Sequence, residues 1–123
     1  MTREQQAALK VAMEFLNHYA ERDIESLMDD MATSNPLFMM GTNDNEVFKS
    51  IRSIRAAFKK DFQNMDNIRW GKRRNVHVQA DPFLASVIIE MPISYQSAGK
   101  KIKTLFRYAL TLKKERGKWK ICS

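Results

Sequence analysis

The clearest pattern in the chain is an alternation of apolar and polar positions over residues 83–112, on both sides of a Ser97-Ala98-Gly99-Lys100 segment. Successive strand side chains point to opposite faces of a sheet, so the pattern predicts two antiparallel strands joined at Ala98-Gly99. One register makes a whole face apolar, with the pairs Tyr95/Ile102, Ile93/Thr104, Met91/Phe106, Ile89/Tyr108, Val87/Leu110 and Ala85/Leu112. The other face then carries Glu90 opposite Arg107, where a salt bridge is expected. A slip of one residue would destroy both matches.

Apolar positions at helical spacing predict three helices before these strands. Thr2 with Gln5 has the spacing of a capping box and starts a helix that runs to about Glu21. Asp23 caps a short helix through Met31. Asn43 with Glu46 marks a third start, followed by an apolar stripe that reaches to about Gln63. The stripe comprises Val47, Phe48, Ile51, Ile54, Phe58 and Phe62.

Shorter strands complete the predicted elements. Residues 35–40 form a short strand between Pro36 and Gly41, and residues 68–79 form a longer one. A turn at Asp81-Pro82 would place Arg73 opposite Glu90. The last turn, at 115–118, returns the chain with Ile121 opposite Leu112. These elements predict one α+β domain over residues 1–123.

The composition bears on the compartment of the protein and argues against a membrane or nucleic acid-binding class. The chain has 123 residues and one cysteine, Cys122, which favours a reducing compartment, and we expect the cytoplasm. No apolar run reaches the length of about 20 residues that a membrane helix needs. The net charge of +7 comes largely from Lys and Arg at turns and strand ends, where solvated cations are common, so it does not favour nucleic acid binding. No cofactor or metal motif is evident; we interpret His18 and the Asp29-Asp30 pair as hydrogen-bonded or solvated groups.

The order of elements resembles the SnoaL-like branch of the nuclear transport factor 2-like superfamily. The resemblance covers most of the chain and rests on three local matches: residues 19–27 after the first helix, Gly41 to Glu46 before the third, and Arg107 ten residues before Gly117. It implies a curved, mostly antiparallel sheet wrapped on three helices, a cone-like fold with one pocket. It also leaves open that the chain is one domain of a longer protein.

The resemblance has consequences for chemistry. Ketosteroid isomerase, a relative, uses acidic and hydroxyl groups in its pocket, but the matching positions here are Phe15, Met39 and Ala109, which cannot exchange protons. No His-Asp pair is expected from the spacing either. We therefore expect a small-molecule-binding domain, non-catalytic, with ligand or sensory roles. The alternative is an enzyme of the polyketide cyclase, isomerase or lyase type that uses Glu90 and Arg107.

The resemblance also implies an orientation of the sheet. Positions in register with Arg107 and Ala109 should face the pocket, which leaves the face with Met91, Phe106, Tyr108 and Leu110 outside. Apolarity alone favours the reverse, with that face under the helices; we follow the resemblance. A second subunit would cover that apolar face, so we expect a homodimer around a small apolar or amphipathic ligand. The expected ligand-binding residues are Phe15, Tyr19, Met39, Trp70, Asn75, His77, Glu90, Leu105, Arg107 and Ala109.

Overall fold

The computed structural model describes residues 1–34, 36–41 and 44–123, and these form three helices and seven strands. The helices are α1 (Arg3–Ala20), α2 (Ile24–Asp30) and α3 (Ile51–Asn64). The strands are β1 (Met39–Met40), β2 (Val47–Phe48), β3 (Asp66–Trp70), β4 (Asn75–Ala80), β5 (Leu84–Ser97), β6 (Lys100–Glu115) and β7 (Lys118–Ile121). The main sheet is antiparallel in the order β3-β5-β6-β7, with β4 also paired to β5. The predicted α+β class is confirmed.

Capping side chains set the helix starts. The Thr2 hydroxyl accepts a hydrogen bond from the Gln5 amide in a complete capping box, and the Asp23 carboxylate accepts one from the Ser26 amide, both as predicted. The predicted start of the third helix is wrong. That prediction used Asn43, which lies outside the described residues, whereas α3 begins at Ile51 with Ser50 as its cap. Val47 and Phe48, assigned to the helix, pair with Met40 and Met39 as strand β2.

The β5–β6 register matches the prediction at every predicted pair, from Ala85/Leu112 to Tyr95/Ile102, and includes Glu90 opposite Arg107. The turn uses Ala98 and Gly99, both with positive φ (52° and 75°), as a two-residue hairpin with right-handed strand twist requires. Ile121 also lies opposite Leu112 as predicted.

The preceding strand differs from its prediction in two ways. It is broken into β3 and β4 at Gly71, whose amide bonds to the carbonyl of Pro92 and whose α-carbon lies so close to the Pro92 ring that a β-carbon would come within 3.1 Å of it. The turn that follows is centred one residue later than predicted, because the Asp81 carboxylate accepts hydrogen bonds from the amides of both Phe83 and Leu84. Asn75, and not Arg73, therefore lies opposite Glu90.

The two faces of the β5–β6 hairpin have opposite environments. Ile89, Met91 and Ile93 are at most 1% exposed and belong to the core that includes Phe15 and Leu16 of α1. We call this the inner face, and the opposite one, with Ile88, Glu90, Leu105, Arg107 and Ala109, the outer face. The predicted orientation, with Glu90 and Arg107 toward the helices, is wrong. The hydrophobic effect decides the matter: the face with the larger continuous apolar surface is the one that the helices cover.

Candidate functional site

Aromatic side chains from α1, α3, β3 and β6 cluster beside the inner face. The Tyr19 ring lies 5.2 Å from that of Phe62, 5.9 Å from Phe58 and 6.4 Å from Trp70. Trp70 in turn makes an edge-to-face contact with Tyr108 at 5.5 Å. Such contacts add to the stability gained from burial alone. The Trp70 indole nitrogen donates to the Leu16 carbonyl at 2.7 Å, which fixes the ring against α1.

The one carboxylate bonded into this cluster, among the residues that the structure describes, belongs to Asp61. Its Oδ2 accepts a hydrogen bond from the Tyr19 hydroxyl at 2.9 Å, and the same hydroxyl lies 3.4 Å from the Met65 sulfur. Burial raises the pKa of Asp61 above its usual value, although the Tyr19 hydrogen bond opposes this shift. Burial likewise raises the pKa of Tyr19, so the phenol stays protonated and acts as a donor. No hydrogen bond to Asp61 Oδ1 is made by any described residue.

An open groove of about 480 Å³ runs along α3 on the side of the β1–β2 hairpin, and Asp61 and Met65 form part of its wall. We call it the α3 groove. Phe48, Ala56, Ala57 and Met65 supply apolar surface to it. Its remaining lining residues are polar: Asn45, Glu46, Ser53, Lys60, Asp61 and Asn64. Asp61 therefore faces the groove on one side and Tyr19 on the other.

Tyr108 adds a second phenol on the inner face of β6. Burial raises its pKa, and the Asp61 carboxylate contributes to the shift through its charge, which places the two groups in one electrostatic environment. The Tyr108 hydroxyl makes no hydrogen bond with any described residue. Tyr108 is half-buried, its hydroxyl keeps contact with solvent, and it does not line the α3 groove.

The residues expected to bind a ligand do not form one site, because strand alternation divides them between the faces. Phe15, Tyr19 and Trp70 lie on the helix side, and Met39 packs against the same core from β1. The other expected residues lie on the outer face, in consecutive cross-strand rows of β4, β5 and β6: Asn75, His77, Glu90, Leu105, Arg107 and Ala109. None of the ten is among the described residues that line the α3 groove, although Tyr19 contacts two residues that do.

The Glu90–Arg107 pair is a surface pair. Arg107 Nε donates to Glu90 Oε2 at 2.6 Å and the Asn75 amide donates to Oε1 at 2.9 Å, so both carboxylate oxygens are occupied. The Arg107 hydrogen bond, followed by that of Asn75, holds the pKa of Glu90 below its usual value. Glu90 therefore stays ionised at neutral pH as expected, with each oxygen already held by a neighbouring strand. The arrangement fits a structural cross-strand pair.

A His-Asp pair, which spacing did not lead us to expect, joins α1 to α2. His18 Nδ1 lies 2.6 Å from Asp30 Oδ2, and the interaction with Asp30 raises the pKa of His18 against the opposing effect of burial. Neither residue lines the α3 groove or makes a ring contact in the aromatic cluster. Within the described residues no three metal-ligating side chains come together, and no helix there is long and apolar enough to cross a bilayer.

Sequence reasoning missed Asp61 and Tyr108. Asp61 lies on the margin of the α3 stripe, three residues after Phe58 and one before Phe62. A carboxylate at the edge of an aromatic stripe is a signal that could have identified it, because a helix packed on a sheet half-buries that position. Tyr108 was assigned to the apolar face from its alternation, and only its position relative to α3 gives its hydroxyl a functional meaning.

Comparisons with known proteins agree with this architecture. The chain is similar to a ketosteroid isomerase-like protein from Erwinia carotovora atroseptica, with 14% identity, a TM-score of 0.83, and coverage of 99% of this chain and 93% of that one. It is also similar to a proposed dehydratase of the NTF2-like family from Streptomyces avermitilis (15% identity, TM-score 0.82, 96% and 90% covered). A proposed scytalone dehydratase from Novosphingobium aromaticivorans matches with 12% identity and a TM-score of 0.78, over 95% of this chain and 78% of that one. At these identities the likeness shows the fold alone.

A comparison with curated protein sequences finds no match. The model of the SnoaL-like domain family, by contrast, matches residues 9–123. This span holds all the strands, α2, α3 and most of α1, together with Tyr19, Asp61 and Tyr108. The chain therefore belongs to the SnoaL-like domain family and has the fold of NTF2-like proteins.

Proposed function

We propose that this protein binds a small, mostly apolar molecule in the α3 groove and holds it through a hydrogen bond to Asp61. The family includes both ligand-binding domains and dehydratase or isomerase enzymes, so the site must decide between them. One observation carries the proposal: Asp61 is a half-buried carboxylate with one oxygen held by Tyr19 and the other without a donor among the described residues.

The lining of the groove supports a particular ligand chemistry. Ligand pockets typically measure about 300–1,000 Å³ and combine apolar walls with a few polar groups, and the α3 groove has both properties. Asp61 Oδ1 would accept a hydrogen bond from a hydroxyl or amine, while Phe48 and Met65 would contact an apolar ring. We therefore expect an aromatic or alicyclic molecule that carries one hydrogen-bond donor.

A matched pair of probes tests this expectation. 1-Naphthol carries a hydroxyl and naphthalene does not, while their ring systems are the same. We expect 1-naphthol to quench the fluorescence of Trp70, which contacts Tyr19, with a lower Kd than naphthalene. Asp61→Asn should weaken naphthol binding about tenfold, the effect of losing one charge-assisted hydrogen bond, and leave naphthalene unchanged.

Glu90→Gln is the control, because it changes the other candidate carboxylate on the outer face. It should leave the binding of both probes unchanged. Loss of naphthol binding in Glu90→Gln together with unchanged binding in Asp61→Asn would reject the α3 groove and return the site to the outer face.

Proton transfer is a second candidate function, and the raised pKa of Asp61 favours it. A carboxyl group whose pKa moves toward neutrality can both accept and donate a proton during a reaction, and the Tyr108 phenol, whose proton has no acceptor among the described residues, would stabilise a developing oxyanion nearby. The test is incorporation of deuterium from D₂O into 2-tetralone, an enolisable ketone, followed by NMR. Exchange that is lost in Asp61→Asn but kept in Glu90→Gln would support catalysis; a rate equal to that of buffer would leave binding as the function.

We also propose that the protein is a homodimer, although not through the face first expected. The helices cover the inner face, so the apolar side chains that the middle of the β5–β6 hairpin leaves exposed lie on the outer face, where Ile88 is 45% and Leu105 36% exposed. Ile88 and Ala109 lie opposite each other beside the Glu90–Arg107 pair. Two outer faces packed about a twofold axis would bury these side chains and place the ion pairs next to each other.

A further inference from the structure

Strand β6 has an open edge over most of its length. It pairs with β5 from Lys100 to Lys113, but its pairing with β7 covers only Leu112–Glu115, and Thr111 bonds to Cys122 and Ser123. From Lys100 to Leu110 no described residue pairs with the other side of β6. The described chain therefore leaves the backbone N–H and C=O groups on that side without a strand partner.

Two unpaired lysines lie at the turn end of this edge, and further unpaired cations lie across β5 on the β3–β4 side of the sheet. Lys101 and Lys103 point from β6 to the outer face, and Arg69 lies in the same cross-strand row as Lys103 through Ser94. Lys72, Arg73 and Arg74 occupy the segment between β3 and β4, where the Arg74 amide bonds to Glu90 and Gly71 bonds to Pro92. These cations make no ion pair or hydrogen bond through their side chains with any described residue.

The charge pattern disfavours a second copy of the chain as the strand that covers this edge. In a symmetric antiparallel pair of β6 strands, residues directly opposite lie on the same face, and registers centred on residues 102 to 105 each oppose two cations. Centring on Leu105, for example, places Lys103 of one copy opposite Arg107 of the other. Like charges directly opposite in a sheet are destabilising. Residues 100–110 also contain no Asp or Glu, so a second copy supplies no carboxylate opposite Lys101 or Lys103 in any register of this edge, whereas an acidic segment does.

We propose that the open edge of β6 binds an extended acidic peptide segment of another protein by strand addition. Main-chain hydrogen bonds to β6 would supply affinity, and alternate side chains would supply specificity. Carboxylates two residues apart on the added strand would lie opposite Lys101 and Lys103, and an apolar residue two positions further would lie opposite Leu105, which is 36% exposed. Arg69 and the cations at 72–74 extend the positive field that attracts such a segment.

A protein segment fits this surface better than nucleic acid does. Single-stranded nucleic acid is bound by aromatic side chains that stack on bases, and the outer-face rows of β5 and β6 hold none. The open edge also offers backbone hydrogen bonds that an extended peptide can pair with along its whole length, whereas a phosphate backbone has no matching row of N–H and C=O groups. Nucleic acid is therefore the competing outcome in the test.

The probe is a synthetic octapeptide, acetyl-Thr-Thr-Leu-Thr-Glu-Val-Glu-Thr-amide, titrated into ¹⁵N-labelled protein and followed by amide chemical shifts. We expect shifts concentrated on residues 100–110, with slower hydrogen exchange of the edge amides. The same peptide with Lys in place of both Glu should not bind. Two further peptides, N-methylated on alternate amides, separate strand addition from simple charge attraction: one should lose binding and the other should keep it.

Charge reversal provides the matched variants. Lys101→Glu combined with Lys103→Glu should weaken binding at least tenfold, whereas Lys10→Glu combined with Lys59→Glu, which makes the same change in net charge on the helices, should leave it unchanged. Shifts outside β6, or equal binding of both N-methylated peptides, would overturn the proposal. Tighter binding of a single-stranded 12-mer RNA or a 12-base-pair DNA duplex at Lys101 and Lys103 would also overturn it and assign the surface to nucleic acid.

Discussion

Burial determines the chemistry of the Tyr19–Asp61 pair at the residue scale. Asp61 follows Phe58 and precedes Phe62 in the sequence of α3. Its partial burial penalises the charged form of the carboxyl and raises its pKa. The Tyr19 phenol compensates in part by donating a hydrogen bond at 2.9 Å. A polar pair held in aromatic surroundings lowers stability at neutral pH, which is a common property of functional sites.

Asp61→Asn should therefore change the pH dependence of stability. The unfolded chain loses this proton near the ordinary value of 3.8, while the folded chain retains it to higher pH. In that window the unfolded state binds fewer protons, so the wild type loses stability as pH rises. Chemical denaturation at several pH values should show the variant gaining stability relative to the wild type above about pH 4.

Tyr19→Phe is the companion change. It removes the hydrogen bond that lowers the pKa of Asp61, so the carboxyl pKa should rise further, as measured by ¹³C NMR titration. A pKa of Asp61 that stays the same or falls would contradict the assigned pairing.

One turn and one loop anchor show how elements are held in place. The β5–β6 turn has Ala98 at φ 52°, a conformation that asparagine and glycine tolerate better than alanine. Glu115 on β6 fixes the segment after α2, accepting hydrogen bonds from the Thr33 amide at 3.0 Å and the Ser34 amide at 2.9 Å, as well as from the Ser34 hydroxyl.

Ala98→Asn should stabilise the protein. The substitution relieves the left-handed strain without altering the strands, and stabilising substitutions of this kind commonly contribute about 0.5–2 kcal/mol. Thermal unfolding should show a higher Tm. Ala98→Val should lower it, because a β-branched side chain is strained at positive φ; the reverse order would argue against the observed turn.

Glu115→Gln should destabilise the protein by about 1.5 kcal/mol at pH 7, because hydrogen bonds to a charged acceptor are lost. The Ser34 hydroxyl and the Thr33 and Ser34 amides lower the pKa of Glu115 to about 2. The stabilisation is complete above the ordinary value of 4.5 and is lost as pH falls toward 2. Urea denaturation of both proteins should show the difference shrinking over that range; a constant difference would mean that the charge is not involved.

The whole molecule has one apolar face covered by helices and one that is mixed. Ile88 on the outer face is 45% exposed and Ile51 on α3 is 39% exposed, which makes them a matched pair for testing assembly. If the outer face forms the dimer, Ile88→Lys should convert the protein to a monomer at micromolar concentration. Ile51→Lys should not, as measured by light scattering after size exclusion. A monomeric wild type would end the dimer proposal.

Local sequence patterns correctly predicted the elements whose structure depends on residues close to each other in the chain. The β5–β6 register follows from alternation, since any one-residue slip exposes an apolar face, and the starts of α1 and α2 follow from caps three residues from their partners. The start of α3 was not predicted. Its capping box pairs Ser50 with Ser53 and lacks the Glu or Gln that usually marks this pattern in a sequence.

Only the tertiary structure decided which face of the hairpin lies under the helices. Alternation defines two faces and its apolar content favours the Met91 face, but the choice between them depends on burial summed over distant segments. The family resemblance pointed to the Glu90–Arg107 face, and packing put the Met91 face inside. The site depended on the same step, because Tyr19, Asp61 and Tyr108 are more than 40 residues apart in the chain and become neighbours only when the sheet closes on the helices.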